Sequence, residues 1–154
     1  MAEEDQPRTI PGLLLSLELQ IEDLLLNCAF CCKTLYEAEL WAFTFRGLRL
    51  VWRDGYPFGV CFACLERHMR IQSLRYHRRT ARATGVEADT GRALGDLKVR
   101  CIYCALVIAQ IDLVDLVAED AVFYLIGERW RTICPWCKNG VSPPGAICMR
   151  RRRR

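Results

Sequence analysis

The sequence of 154 residues has no uninterrupted apolar run of the ~18 residues that a membrane-spanning helix needs. Its leucine-rich stretch from Leu13 to Leu26 is interrupted by acidic and amide side chains. The chain begins with acidic residues, where a secretory signal peptide has basic ones. We therefore expect a soluble protein of a reducing compartment that makes no membrane contact.

An excess of positive charge is absent from most of the chain. The formal net charge is +4, but Arg150 to Arg154 contribute five positive charges, and the remaining 17 basic residues face 18 acidic ones. A second basic cluster lies in the middle of the chain and consists of Arg67, Arg70, Arg75, Arg78, Arg79 and Arg82. These totals argue against a body that binds nucleic acid over its whole surface, and they limit polyanion contact to the C-terminal arginines or the central cluster.

Cysteine, by contrast, is abundant, with ten residues in this length. Eight of them form four Cys-x-x-Cys pairs: Cys28 and Cys31, Cys61 and Cys64, Cys101 and Cys104, Cys134 and Cys137. In each half of the chain 29 residues separate the two pairs, so the second half repeats the first with a shift of 73 positions. A shared spacing with little other shared sequence indicates an old duplication in which metal geometry was the fixed constraint.

This spacing predicts two structural zinc ions, each held by four thiolates. Two tight turns aim four sulfurs at one point, with Zn–S distances of ~2.3 Å, and sulfur-only ligation favours zinc or an iron–sulfur cluster over hard cations. We favour zinc, because nothing else in the sequence suggests redox chemistry and no thioredoxin-like pattern surrounds the pairs. Each unit spans 37 residues between its outer cysteines, too few for a self-sufficient core.

The same ligand sets argue against an enzyme. Four protein ligands leave a zinc ion no open position for catalysis. Both histidines, His68 and His77, lie in a basic segment without an evident cysteine or serine partner. Of the two remaining cysteines, Cys32 adjoins a ligand and Cys148 lies in the tail, and we assign neither a function.

Periodicity and turn residues divide the chain into five parts. These are an N-terminal arm and helix (1–26), a first zinc domain (27–64), a linker helix and flexible connection (65–99), a second zinc domain (100–138) and a basic, disordered tail (139–154). We predict helices at 12–26, 37–43, 64–79 and 111–119, and strands at 45–52, 100–109, 121–126 and before the second cysteine pair of each unit. The glycine-containing stretch 80–95 is expected to be flexible. We expect the first helix to pack its leucine stripe on the first zinc unit, rather than to offer a leucine motif to a binding groove.

Short sequence motifs accompany the double cysteine spacing. They are Glu39-Leu40, Phe43 to Phe45, Val51 to Gly55, Pro57 to Val60 and Arg129-Trp130. Together with the 36 residues between the two units, these features resemble the sixth early protein of papillomaviruses, a viral oncoprotein family. The resemblance covers residues 8–138. It implies an α+β fold of two tandem zinc-binding domains, each a three-stranded antiparallel sheet with short helices, joined by a linker helix.

The resemblance also implies a non-enzymatic adaptor, in the host nucleus and cytoplasm, that redirects host ubiquitin-ligase, transcription, Notch or apoptosis pathways. Such proteins bind an acidic Leu-x-x-Leu-Leu helix of a host protein in a groove between the domains and the linker, with leucines in an apolar slot and basic residues beside the acidic flanks. The corresponding groove positions are Ala29, Phe30, Leu48, Val51, Val60, Leu65, His68, Met69, Gln72, Arg100 and Arg129.

Some positions depart from the family pattern. The sequence ends in arginine and lacks the Ser/Thr-x-hydrophobic ending by which some relatives bind PDZ domains, so we expect no PDZ binding. Gly127 stands where some relatives have a basic residue, and Met69 and Gln72 alter the linker face. The missing ending favours a Mastermind-like Notch coactivator over a HECT-type ubiquitin ligase as the source of the helix. We also expect weak self-association.

A second interpretation is a zinc-dependent nucleic-acid-binding transcription regulator, suggested by the arginine tail and the basic linker. The near-neutral body favours the adaptor. A weak nucleic-acid contact through the tail is compatible with both interpretations.

Overall fold

Residues 5–140 are described by a computed structural model, in which they divide into two compact units, 5–65 and 66–140. The arginine tail and Cys148 lie outside the described residues, as does most of the predicted segment 139–154. Among the described residues, no helix combines the length and the apolar character that a membrane crossing requires.

The first unit contains two α-helices, a short 3₁₀ turn and three strands. In chain order these are α1 (Ile10–Leu17), the 3₁₀ turn (Ile21–Asp23), β1 (Asn27–Cys28), α2 (Glu37–Phe45), β2 (Val51–Arg53) and β3 (Tyr56–Gly59). Helix α3 (Phe62–Tyr76) follows. Thr9 caps α1, because its hydroxyl accepts a hydrogen bond from the Gly12 N–H at 3.2 Å.

The second unit repeats this order with one additional strand. Its elements are β4 (His77–Ala81), α4 (Ala83–Thr90), a 3₁₀ turn (Leu94–Asp96), β5 (Arg100–Cys101), α5 (Gln110–Ala118), β6 (Phe123–Ile126), β7 (Arg129–Thr132) and α6 (Pro135–Lys138). The observed mixture of helices and two small sheets confirms the predicted α+β class.

The duplication extends beyond the cysteine spacing. A shift of 73 positions places α1 on α4, α2 on α5 and each 3₁₀ turn on the other. The left-handed backbone conformation repeats as well, since Cys32 (φ 60°) corresponds to Ala105 (φ 61°) and Asp54 (φ 51°) corresponds to Gly127 (φ 63°). The repeating unit therefore begins at α1, well before the first cysteine pair.

The sheets differ from the expected three-stranded antiparallel form. The first has the order β1-β3-β2 and the second β4-β6-β7-β5, and β1 and β5 run parallel to β3 and β7. The parallel pairing has a physical reason: each of these strands leads into a Cys-x-x-Cys turn, and both turns must reach the same metal from the same end of the sheet. The fourth strand, β4, pairs with β6 from His77 to Ala81. In the first unit the corresponding segment is not a strand; Leu50 N–H donates to the Arg8 carbonyl at 2.8 Å and the Trp52 indole N–H donates to the Pro7 carbonyl at 2.7 Å.

The first helix was predicted to end at Leu26, nine residues beyond its observed end at Leu17. Helix α1 stops at Leu17 because Glu18 adopts the left-handed conformation and donates its N–H to the Leu14 carbonyl. Core packing is confirmed for Leu13, Ile21 and Leu24, which are buried. It is wrong for two other leucines of the stripe, since Leu17 is exposed and Leu25 has 86 % of its surface exposed.

The stretch 80–95, expected to be flexible, has regular structure instead. It contains the end of β4, helix α4 and the second 3₁₀ turn, and Val86 of α4 is fully buried in the core. Gly91 (φ 66°) ends α4 as its left-handed cap, so this glycine marks a helix boundary. Helix α3 also ends three residues earlier than predicted, because the chain from His77 pairs with β6.

Two predicted strands are shorter than expected. Phe45 belongs to α2, and of the segment 45–52 only Val51 and Trp52 are in a strand, as the first two residues of β2. Of the segment 100–109, only the first two residues form β5, because the chain turns back at the cysteine pair and Val107 bridges to Arg100.

Candidate metal centres and basic surface

Each unit brings its four cysteine sulfurs together. The Sγ atoms of Cys28, Cys31, Cys61 and Cys64 lie within 4.8 Å of one another, as do those of Cys101, Cys104, Cys134 and Cys137. Measured edges are 3.7 Å between Cys31 and Cys61 and 3.8 Å between Cys104 and Cys134. A zinc ion bonded to four sulfurs at ~2.3 Å requires sulfur–sulfur edges of ~3.8 Å, so both clusters fit tetrahedral zinc.

Backbone N–H groups orient the sulfurs in the same way in both units. The N–H of Phe30 donates to Cys28 Sγ and that of Tyr103 to Cys101 Sγ, each at 3.4 Å. The second pairs repeat the pattern, with Cys64 N–H to Cys61 Sγ at 3.5 Å and Cys137 N–H to Cys134 Sγ at 3.4 Å. Such donors stabilise thiolate charge and fix the direction of each ligand.

The pKa values of the sulfurs in the first cluster show why a bound cation is needed to stabilise the thiolate charges. Burial acts to raise the pKa of Cys28, but backbone N–H donors from Cys31, Cys61 and Phe30 lower it to about 7. Burial and the contacts with the other sulfurs raise the pKa of Cys64 to about 12. The cluster alone therefore favours one thiolate, and the two positive charges of zinc would stabilise all four.

The second cluster is more deeply enclosed. Contacts with the neighbouring thiols lower the pKa of Cys101 far below its ordinary value, and the same contacts raise the pKa of Cys104 and Cys137. Three of its four cysteines are buried, whereas Cys31 of the first cluster is exposed. Cys32, also exposed, belongs to neither cluster of the described residues.

The predicted groove residues of the first unit differ in exposure. Ala29 and Leu65 are buried, Leu48 and Val60 are half-buried, and Phe30 and Val51 are exposed, Phe30 to 60 %. Arg53 was not among them, yet its guanidinium donates to the Ala29 carbonyl at 2.8 Å and thus joins β2 to the turn that carries Phe30. The alternation along β2 places Val51 and Arg53 on the same exposed side.

In the second unit, Met69 is buried, Gln72 and Arg100 are half-buried, and His68 and Arg129 are exposed. Arg131 is not one of the predicted groove residues, yet it connects two of them. Its guanidinium donates to Gln72 Oε1 at 2.8 Å and approaches Met69 Sδ at 3.7 Å.

Three arginines share one face of the second sheet. Arg129 and Arg131 are two residues apart on β7, and Arg131 is the register partner of Arg100 on β5. Burial and the positive charge of Arg129 lower the pKa of Arg131. We call Arg100, Arg129 and Arg131 the arginine face. The period of two along β7 is the sequence signal that links Arg131 to Arg129.

The fold and the two clusters define a small protein built from two tandem four-cysteine zinc modules. A family model described as Early Protein (E6) matches residues 28–137. Protein E6 of human papillomavirus 43 is 36 % identical over 147 residues, covering 96 % of this chain and 90 % of that protein. Protein E6 of human papillomavirus type 61 is 35 % identical over 133 residues, covering 86 % of this chain and 91 % of that protein. The chain belongs to the E6 family of papillomavirus early proteins, and its two cysteine clusters fit two structural zinc ions.

Proposed function

We propose that the chain is a non-enzymatic adaptor that binds an acidic Leu-x-x-Leu-Leu helix of a host protein. By binding this helix, the adaptor redirects host ubiquitin-ligase, transcription, Notch or apoptosis pathways. Family membership supports an early viral regulatory role, and the surfaces of the two units support the chemistry of the ligand.

The arginine face is the observation that carries the proposal. Three arginines lie on one side of a small sheet, and burial followed by repulsion from the neighbouring Arg129 lowers the pKa of Arg131. An acidic ligand relieves this repulsion, because each carboxylate can accept charge-assisted hydrogen bonds from guanidinium groups. The acidic residues that flank a leucine motif supply such carboxylates.

The first unit offers the apolar part of the recognition. Phe30 and Val51 are exposed apolar residues, and the Arg53 contact with Ala29 links the elements that carry them. Burial of exposed aromatic and branched side chains by leucines is favourable at ~25 cal/mol for each Å² of apolar surface removed from water. A leucine-rich helix with acidic flanks therefore matches the exposed chemistry of each unit.

The preferred source of the helix remains a Mastermind-like Notch coactivator, with a HECT-type ubiquitin ligase as the competing source. Labelled peptides carrying the leucine motif of each class, added to the zinc-loaded full chain, separate the two by fluorescence anisotropy. Tighter binding of the coactivator peptide is the expected result. Tighter binding of the ligase peptide would reverse the assignment.

Charge reversal tests the arginine face directly. Arg129→Glu should weaken peptide binding by about tenfold or more, because it removes one cation and repels acidic flanks. Arg129 suits this test better than Arg100, whose guanidinium also donates to the Ala105 carbonyl beside the second zinc site at 2.7 Å. Arg49→Glu is the matched control, since Arg49 is exposed and lies outside the predicted groove. Equal binding by the Arg129 variant, with two zinc ions retained, would exclude the proposal.

We also propose the host nucleus and host cytoplasm as the working compartments, with a weak nucleic-acid contact through the C-terminal arginines. Fluorescence imaging of the tagged chain in host cells tests the first point. Deletion of residues 150–154 should remove DNA binding and its dependence on salt, while peptide binding is unchanged.

A further inference from the structure

The first unit exposes a stretch of the chain, from α1 almost to β1, that combines leucines with carboxylates. Its exposed members are four leucines and three acidic residues, namely Leu15, Leu17, Leu19, Leu25, Glu18, Glu22 and Asp23. We call these seven residues the acidic leucine segment. Leu15 has 82 % of its surface exposed and Leu25 has 86 %. Exposed apolar side chains so close along the chain, bordered by polar ones, are typical of an interaction surface.

The core of the first unit is built without these side chains. Leu13, Ile21 and Leu24 of the same stretch are buried and pack in that core. The 3₁₀ turn buries Ile21 while it leaves Glu22 and Asp23 in solvent. The exposed leucines are therefore available for a contact that the core does not require.

No ion pair neutralises the carboxylates of the acidic leucine segment within residues 5–140. The sequence also has no Lys, Arg or His between Arg8 and Lys33, so the stretch carries uncompensated negative charge. A ligand that fits this surface has cations next to apolar side chains, because complementary charge then accompanies the apolar contact.

Residues 141–154, which lie outside the described part of the chain, have this chemistry. Arg150 to Arg154 supply five consecutive cations, and Ile147 and Met149 lie just before them. No aspartate or glutamate follows Glu128 in the sequence. The C-terminal segment and the acidic leucine segment therefore carry opposite charge, and both contain apolar residues.

We propose that residues 141–154 dock on the acidic leucine segment of the same chain. The arginines lie opposite Glu18, Glu22 and Asp23, while Ile147 and Met149 contact the exposed leucines. Arginine suits this contact because its planar guanidinium can donate two hydrogen bonds to one carboxylate.

Covalent connection selects the chain's own C-terminal segment over a free basic partner. A tethered ligand has an effective concentration of about millimolar, so modest contacts are enough for binding. The arginines lie ten to fourteen residues beyond Gly140, and an extended chain of that length spans ~33–50 Å. A domain of about 100 residues has a radius of gyration of only ~13 Å. The segment is thus long enough to cross the surface of a unit.

Docking limits what the C-terminal arginines can do. Ion pairs between exposed groups are individually weak and are screened by salt, so the docked state is reversible. Arginines held by these carboxylates are not available to other polyanions. The contact uses no predicted groove residue, so it succeeds or fails independently of peptide binding.

Paramagnetic relaxation in the zinc-loaded full chain measures this contact. A Cys32→Ser background leaves Cys148 as the one thiol outside the two clusters. A nitroxide attached to Cys148 broadens the amide signals of the residues that it approaches. We expect broadening of residues 15–25 at low salt and its loss at high salt. No broadening of residues 15–25 at any salt concentration would overturn the proposal.

A mixed sample separates contact within the chain from contact between copies. It combines nitroxide-labelled chains that carry no isotope with isotope-labelled chains that carry no nitroxide. We expect no broadening in this mixture, because the docked segment belongs to the same chain. Broadening of residues 15–25 as strong as in the singly labelled chain would assign the contact to a second copy and would overturn the proposal.

Matched substitutions make the test specific to the acidic leucine segment. Glu22→Lys and Leu25→Gln should each reduce the broadening several-fold, because one repels the arginines and the other removes apolar contact. Asp115→Lys and Leu74→Gln are the controls, since Asp115 is exposed on α5 and Leu74 is 80 % exposed on α3. Zinc content and circular dichroism establish that each variant is folded. An equal reduction in the controls, or full broadening in the Glu22 variant, is the result that contradicts docking at this site.

Discussion

Replacing Cys134 with serine should remove the zinc ion of the second unit and unfold that unit, while the first keeps its own. Cys134 is fully buried, and its sulfur lies 3.8 Å from Cys104 Sγ. It also accepts the N–H of Cys137. A serine hydroxyl stays protonated at neutral pH and is a poor zinc ligand. One ligand of four is thus lost at a site that cannot admit a replacement without rearrangement.

The magnitude follows from the size of the unit. Structural zinc contributes ~10–16 kcal/mol at neutral pH in zinc-finger peptides, whereas whole domains are stable by only ~5–15 kcal/mol. The core of the second unit packs directly around the ligands, with Phe123, Leu113 and Trp130 in the same cluster as the buried cysteines. Loss of most of the zinc-binding energy therefore exceeds the stability that this core can supply alone.

Zinc content and tryptophan emission measure the outcome. The expected result is one zinc ion per chain in place of two, with a red-shifted emission from Trp130, which is buried in the native unit. Cys32→Ser is the control, because Cys32 is exposed and belongs to neither cluster, and it should keep both ions. A Cys134 variant that retains two zinc ions and the native near-UV circular dichroism would refute the reasoning.

Three further predictions concern pH, α4 and the arginine face. Zinc binding by the first cluster requires four thiolates, and without metal the pKa values of Cys28 and Cys64 are about 7 and about 12. Binding therefore releases protons at neutral pH, and zinc affinity should rise with pH and fall on acidification, as a competing chelator titrated at several pH values can measure. Val86→Asp should unfold the second unit because it buries a charge at a fully enclosed site, whereas Ala88→Asp on the exposed side of α4 should leave the melting temperature nearly unchanged. Arg131→Gln should weaken binding of an acidic leucine-motif peptide several-fold with both zinc ions retained; unchanged binding would remove Arg131 from the recognition surface.

The sequence identified the metal centres because their constraint is local. Two residues between cysteines fix a turn, and a gap of 29 residues between pairs recurs in both halves, so the eight ligands can be assigned without any knowledge of the fold. Helices α2 and α5 were predicted within two residues at each end for a similar reason, since their buried residues recur at helical spacing.

The extent of the repeat could not be derived in this way. Helices α1 and α4 occupy corresponding positions but differ in sequence, and the glycines near α4 resemble those of a loop. Only the burial of Val86 and the left-handed cap at Gly91 show that this segment belongs to the core of the second unit. Long-range pairing likewise decides that the chain leaves α3 at His77 and forms β4 against β6.

The sequence alone thus determined the ligands, the duplication and the family, because these depend on spacing along the chain. The tertiary structure decided which side chains share a surface. Arg131 adjoins Gln72, 59 positions away, and is the register partner of Arg100 only because β5 and β7 lie side by side. Such contacts arise from the pairing of distant segments, and neither the spacing nor the composition of either segment specifies them.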